Sequence, residues 1–403
     1  VTDKSYGWVV LGAAFVIITM AIGTLFTLAV FQQPLETSMG WSRASVGTIA
    51  LLNWIVMGVG SFASGYLSDR LGGRVVVLSG GVLLATGLFL SSRVSDLWQL
   101  YLTFGVLVGA GVSCFYVPLT VTVMRWFETR RGMATAIVSS GNGLGTLALS
   151  PLSRWLIDSF DWRTAFVVLA ELSALVVIPA ALLLRDRAAG VTRASAWVGR
   201  PARARSVFTR WPFWAIVFTH FGCCAAHSGP IFHMVSHAID QGVPALAAAG
   251  ALGLSGLTSI FGRVGTGIVA DRVGVKRTML AALALQASVI FLYLFARGQG
   301  SVYGLAAIFG VAYGSAMPLY AVLTREYFGE RSVGTAYGFI FFISCIGMGL
   351  GSYAGGAIHD SLGTYAWLFV ASGLIGGMAF VLATSLRAPA GAMGRLDASG
   401  HPA

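Results

Sequence analysis

The charges of this chain are gathered into short clusters, and between them lie twelve apolar stretches, at 6–32, 44–67, 75–92, 97–124, 132–153, 164–184, 212–238, 244–270, 278–296, 301–324, 333–358 and 363–386. Each is near the length of about 20 residues that carries a helix across a bilayer. A water-soluble globule is excluded: of 403 residues 56% are hydrophobic and only 10% charged, against about 25% charged in soluble domains. Within lipid the backbone must satisfy its own hydrogen bonds, and the period-two alternation of a barrel is absent, so helices are the reading that fits. The expected fold class is an all-α integral membrane protein with twelve transmembrane helices. The first apolar stretch runs on past Phe31, which makes it a retained helix rather than a cleaved leader.

An even number of spans puts both termini on one side. That side, with Lys4, Arg70, Arg74, Arg125, Arg325 and the stretch Arg185 to Arg210, carries 20 of the 26 basic residues. The other carries Arg43, Arg93, Arg154, Arg163 and Arg297. The positive-inside rule makes the first side cytoplasmic and the expected location the plasma (inner) membrane. The net charge of +11 is thereby a matter of cytoplasmic loops and not of nucleic acid. Cys114, Cys223, Cys224 and Cys345 lie in apolar stretches with no metal or disulfide spacing, so they read as small buried hydrophobes.

The polar stretch between the sixth and seventh spans divides the chain, and repetition supports the division. The decapeptide GYLSDRLGGR at 65–74 recurs as GIVADRVGVK at 267–276, an offset of 202, and Pro118-Leu119 with Arg125 recurs as Pro318-Leu319 with Arg325, an offset of 200. Two parallel six-helix halves follow: 1–186, a basic linker at 187–210, 211–388, and a tail at 389–403. Asp69, Arg70, Asp271 and Arg272 in the repeated decapeptides sit beside helix ends, where a carboxylate can pair with arginines and exposed amides to latch one face of the bundle; a topology and folding signal is the alternative reading.

These decapeptides match the loop motif of the major facilitator superfamily. Within it the chain resembles the branch of monocarboxylate transporters and oxalate–formate antiporters, through Tyr6-Gly7-Trp8, through Tyr116 to Phe127 with the following Arg130, Arg131 and Gly141 to Gly145, and through an arginine inside the eighth span. The resemblance implies a major facilitator fold and transport by alternating access between the two halves. Where animal monocarboxylate transporters carry an Asp four residues before that arginine, this chain has Ser259; where they carry a first-helix lysine it has uncharged residues near Phe26; and the second cation of the oxalate antiporter, in the eleventh helix, has no counterpart.

The residues themselves point to an anion site. Arg263 is eight residues before Asp271, about 12 Å along a helix, which places it deep in a core about 30 Å thick. A charge there needs water or a partner. Its planar fork suits a carboxylate, with a structural pair to Glu171 or another acid as the alternative. Ser255, Ser259 and Arg263 share one helix face. Tyr116, Tyr313 and Tyr320 either bind carboxylate oxygens or pack between helices, and Asn142 belongs to a polar stripe of the fifth helix that serves either ligand contact or inter-helix bonding. In the seventh helix Gly229-Pro230 is expected to break or unwind the chain. His233, Asp240 and Glu171 are candidates for proton coupling or gating; Asp240 could instead cap the following helix.

The expected function is a secondary transporter carrying a small monocarboxylate such as lactate or pyruvate together with a proton. Organic-anion exchange of the oxalate–formate type and a sensor that binds without translocating are the alternatives. No nucleophile–base constellation or phosphate loop suggests an enzyme. The expected partners are the carboxylate, a proton and the bilayer, with no cofactor, no metal and no nucleic acid, and with the monomer as the working unit.

Overall fold

The computed structural model describes the backbone of residues 3–127, 131–185, 208–328 and 333–386. Residues 187–207 of the expected linker and the whole of the expected tail, 389–403, lie outside the described residues. Twelve long helical segments account for nearly all of the rest: α1 (Asp3–Met39), α2 (Arg43–Leu71), α3 (Gly73–Ser91), α4 (Leu97–Trp126), α5 (Arg131–Ser159), α6 (Trp162–Leu182), α7 (Trp211–Asp240), α8 (Ala245–Val273), α9 (Val275–Phe295), α10 (Gly298–Phe328), α11 (Val333–Leu362) and α12 (Ala366–Thr384). Among the described residues eleven of these are long and apolar enough to cross a membrane. The exception is α5, whose Gly141, Gly143 and Gly145 and its hydroxyl and amide stripe lower its hydropathy. The bundle is all-α, and the chain is a multi-pass membrane protein.

Local chemistry sets the helix ends. Ser42 caps α2 by accepting from the Ser45 N–H, and Asp161 caps α6 by accepting from Thr164. The repeated decapeptide ends in a one-residue hinge in each case: Gly72 between α2 and α3 at φ 89°, and Gly274 between α8 and α9 at φ 92°. Only glycine takes that backbone without strain, so the repeat encodes two equivalent tight turns. The fourth span is irregular. Residues Tyr101–Val108 form a π-helical segment, and the Asn53 amide of α2 donates to the Phe104 carbonyl at 2.9 Å.

Helices pack through residues without side chains. Gly23 of α1 meets Gly145 of α5, Gly143 of α5 meets Gly256 of α8, and Gly310 and Gly314 of α10 lie on Ser255 and Ser259 of α8, each with no room for a Cβ. The first six helices pair as α1 with α5 and α6, α2 with α4, and α3 with α6. The last six repeat this as α7 with α11 and α12, α8 with α10, and α9 with α12. Contacts between the sets run through α2 with α11, α5 with α8, and α1 with α7. Large apolar side chains such as Val59, Leu175, Phe295 and Met378 are turned outward, as lipid contact requires.

One expectation fails here. Pro230 does not break α7, which runs unbroken from Trp211 to Asp240. Every residue from Gly222 to Ala238 is buried, and Gly229 is wedged between Leu368 and the Gly351 carbonyl. Unwinding there would bare several backbone groups to an apolar interior, whereas the proline withholds a single N–H.

Candidate functional site

Arg263 lies on α8, the helix that packs against α10 of its own set and α5 of the other. Its Nη1 donates to Ser259 Oγ at 2.7 Å, and its guanidinium carbon lies 5.8 Å from the centre of the Tyr313 ring of α10. Ser259 is fully buried and donates in turn to the Gly256 carbonyl at 2.7 Å, so the hydroxyl is fixed in the orientation that receives the arginine. The guanidinium stays partly exposed. Tyr116 stacks on Phe341 of α11 at 5.9 Å with an interplanar angle of 4°, a contact that crosses from the first helix set to the second. A fixed cation over an aromatic face, with only one of its N–H donors bonded among the described residues, can grip a planar anion.

Behind Arg263, α7 and α10 run antiparallel and are joined by two stacked pairs. His227 lies on Tyr313 at 5.5 Å, and His220 lies on Tyr320 at 3.9 Å. Tyr320 is fully buried, and its hydroxyl donates to the Thr219 carbonyl at 3.2 Å. In this conformation it packs between helices, one of the two alternatives its sequence position leaves open. Asn142 is partly exposed on α5, next to the Gly143–Gly256 contact, and its buried Oδ1 has no hydrogen-bond partner among the described residues.

A second cluster closes one end of the bundle. Arg43, at the start of α2 with its side chain only 7% exposed, donates from Nη1 and Nη2 to the two oxygens of Asp240 at 2.6 and 3.0 Å, and from Nε to Glu36 at 2.8 Å. Nη1 also reaches the Tyr365 hydroxyl at 2.9 Å and His359 Nε2 at 3.1 Å. The backbone N–H groups of Arg43 and Ala44 donate to the two oxygens of Asp360, at 3.1 and 2.7 Å. Glu36 and Arg43 come from the first helix set, and Asp240, His359, Asp360 and Tyr365 from the second, so the cluster is a clasp between them. Beneath it, His233 Nε2 donates to the Ser352 carbonyl at 2.8 Å, which leaves Nδ1 to accept from Gln32 at 3.1 Å and from the Tyr365 hydroxyl at 3.2 Å. Ser236 donates to Gln32 Oε1 at 2.7 Å. A small cavity under the clasp is lined by Gln32, Ala50, Phe232, His233 and Ser352.

The family model described as Major Facilitator Superfamily matches residues 11–352 and 266–399 of this chain. The chain belongs to the major facilitator superfamily. Among curated relatives, Monocarboxylate transporter 13 of Rattus norvegicus is 30% identical over 95% of this chain and 88% of its own, and Monocarboxylate transporter 11 of Homo sapiens is 30% identical over 92% and 81%. In fold, the chain is similar to the crystal structure of a bacterial homolog to the human lysosomal transporter Spinster, in an inward-facing and unoccupied conformation, with a TM-score of 0.75 at 16% identity over 95% of this chain and 97% of that one. Members of this superfamily are transporters, and the chain is accordingly a membrane transporter and not an enzyme.

Two of the expected coupling residues, His233 and Asp240, come together at the clasp. Asp240 is not a cap for α8, because both its oxygens are held by Arg43. Glu171 joins neither cluster: it is exposed on the outward face of α6, in line with Leu175, and makes no ion pair with Arg263 or with any other described residue. Of the superfamily's loop motif, Arg70 lies over the ring of Tyr66 at 4.5 Å, while Asp271 and Arg272 are exposed and form no ion pair among the described residues; the side chain of Asp69 lies outside them. The latch expected at that end is therefore not engaged by the C-terminal copy in this conformation. Sequence reasoning passed over Arg43, Glu36, His359, Asp360 and Tyr365. The available signal was the placing of an arginine on the side poorest in Lys and Arg, with acids at the neighbouring ends of the first, seventh and eleventh spans.

Proposed function

We propose that this protein is a secondary active transporter of small monocarboxylates, lactate or pyruvate in type, that moves the anion together with a proton by alternating access of two six-helix halves. The observation that carries the reading is Arg263, a guanidinium oriented by Ser259 and Tyr313 inside the bundle with donors to spare. The relatives named monocarboxylate transporters supply the substrate class. The unit is the monomer, the membrane is the plasma membrane, and the ends rich in Lys and Arg, with both termini and the 187–210 linker, face the cytoplasm. On that orientation the Arg43 clasp is the outer gate, and it is shut here.

Coupling falls to the clasp. An arginine does not release a proton, and Ser259 cannot hold a charge, so Arg263 and its neighbour bind the anion without carrying the proton. Asp240 has to be ionised to receive Arg43 in the bidentate pair. A proton taken by Asp240 from outside opens the clasp, and the outer gate re-forms only once that proton has moved inward, toward His233 about two helical turns away along α7. The test is uptake of labelled lactate, pyruvate, acetate, formate and oxalate into proteoliposomes. Monocarboxylate uptake that rises with an inward proton gradient and collapses with a protonophore supports the reading. Uptake of oxalate alone, or binding without flux, overturns it.

A further inference from the structure

The clasp holds a histidine that the coupling scheme leaves idle. His359 sits in the last turn of α11, its side chain 18% exposed, with Nε2 at 3.1 Å from Arg43 Nη1 and 3.6 Å from Asp240 Oδ2. An arginine N–H only donates, so Nε2 is the lone pair of a neutral ring whose hydrogen is on Nδ1. Nη1 has two hydrogens for three acceptors, Asp240 at 2.6 Å, the Tyr365 hydroxyl at 2.9 Å and His359 at 3.1 Å. His359 holds the longest of the three. The other charged or titratable groups of the cluster are Glu36 on Arg43, Asp360 next to His359 in sequence, and Tyr365, whose ring lies 4.6 Å from that of His359. His233 and His237 of α7 also pack on Tyr365 but are 1% and 7% exposed, so His359 is the imidazole most open to water.

A proton added to Nε2 removes the lone pair that Arg43 uses and sets two cations side by side. The new N–H has one carboxylate oxygen close by, Asp240 Oδ2, which is the oxygen that Arg43 Nη1 holds. Arg43 belongs to the first helix set, and His359 and Asp240 both belong to the second. The proton thus turns an ion pair between the sets into one within a single set. We propose that His359 takes up the outer proton and, once protonated, replaces Arg43 as the partner of Asp240, which releases the clasp. The inference rests on the reading of the clasp as the outer gate, and it gives the proton assigned to Asp240 its way in. Carboxyl side chains ordinarily take up a proton at about pH 4 and imidazole at about pH 6.5; a gate that answers to protons near neutrality needs the second. The direction follows from what leaves. Opening takes Arg43 and Glu36 away together and leaves Asp240 and Asp360 beside the ring, so the one cation in hydrogen-bond contact with the imidazole is lost. The open state holds the proton more firmly, and by linkage the open population grows as pH falls.

The test reads the gate without any substrate. In the full-length protein lacking its four native cysteines, Ser159→Cys at the end of α5 and Gln299→Cys at the start of α10, both exposed and on opposite helix sets, carry spin labels. Pulsed electron spin resonance in lipid nanodiscs then gives the distance between the sets from pH 8 to pH 5. With His359 in place the long-distance population is expected to grow as pH falls, the open-to-closed ratio rising by up to about tenfold per pH unit, the limit for one proton. His359→Gln keeps an acceptor for Arg43 but takes up no proton, and its distances are expected to stay short over the whole range. His359→Lys carries a cation throughout and is expected to be open already at pH 8. The two variants move in opposite directions, which damage to the fold does not produce. Distances that ignore pH with His359 in place, a His359→Gln protein that opens over the same range, or a His359→Lys protein that stays closed overturns the role of His359. Lactate and pyruvate uptake by the native protein is measured separately: a gate that follows pH with no uptake of either sinks the monocarboxylate reading and leaves His359 in its role.

Discussion

Replacing Arg43 by alanine tests whether the clasp is a gate. The arginine is 7% exposed and holds two carboxylates, each about one-third exposed, that come from opposite helix sets. Removing one partner of a fully buried pair costs about 3–5 kcal/mol, and an exposed pair is worth about 0–1 kcal/mol. The one-third exposure of Asp240 and Glu36 places this clasp between the two, at about 1–3 kcal/mol. Because the bonds to Asp240 and Tyr365 exist only while the sets are together, that energy biases the closed state, and its loss raises the open population by about 5- to 150-fold. Ala50 reports on the opening: it is 2% exposed and lines the cavity beneath the clasp. In a background lacking the four native cysteines, Ala50→Cys should react with an impermeant maleimide in right-side-out vesicles faster by that factor when Arg43 is alanine. Arg43→Lys should give a smaller rise, since a point charge replaces a fork. Asp240→Asn added to Arg43→Ala should change the rate by less than the two single effects combined, because the pair is already broken. A labelling rate that Arg43→Ala leaves unchanged would refute the gate.

Arg263→Lys keeps the charge and removes the planar fork, and it should weaken monocarboxylate binding by at least tenfold in calorimetry; wild-type affinity in that variant would remove Arg263 from the site. Uptake by the native protein should follow an imposed pH gradient and ignore a potassium–valinomycin potential, and Asp240→Asn should lose the response to the gradient, as measured by lactate flux at fixed outer pH. In the hinge, Gly72→Ala forces a Cβ onto φ 89° and should lower stability by about 1–3 kcal/mol in detergent melts. Gly267→Ala, in helical α8 with open space around it, should be neutral or stabilising by up to about 1 kcal/mol.

The helices and Arg263 were legible because their signals are local. A charge in the middle of an apolar stretch is conspicuous in one dimension, and so is a repeated decapeptide ending in glycine. The clasp was not, because Arg43 finds Tyr365 and Asp360 across 322 and 317 positions, and on the page each is an ordinary polar residue at a helix end. Pro230 misled for the opposite reason. The local rule is sound, yet the burial of α7 on every side makes a broken helix the worse alternative. A sequence does not reveal which face of α6 turns outward with Glu171, whereas the four-residue spacing of Ser259 and Arg263 is enough to set the hydroxyl beside the guanidinium.

The two carboxylate oxygens of Asp360 rest on the first free amides of α2. One half of the transporter thus supplies the N-terminal cap of a helix in the other, a job that Ser42 does only in part from within its own chain segment. Parting the clasp strips α2 of that borrowed cap and hands its amides to water. The first turn of α2 should then fray in step with the gate, so that hydrogen exchange at Arg43 and Ala44 would count openings directly, without any label placed in the protein.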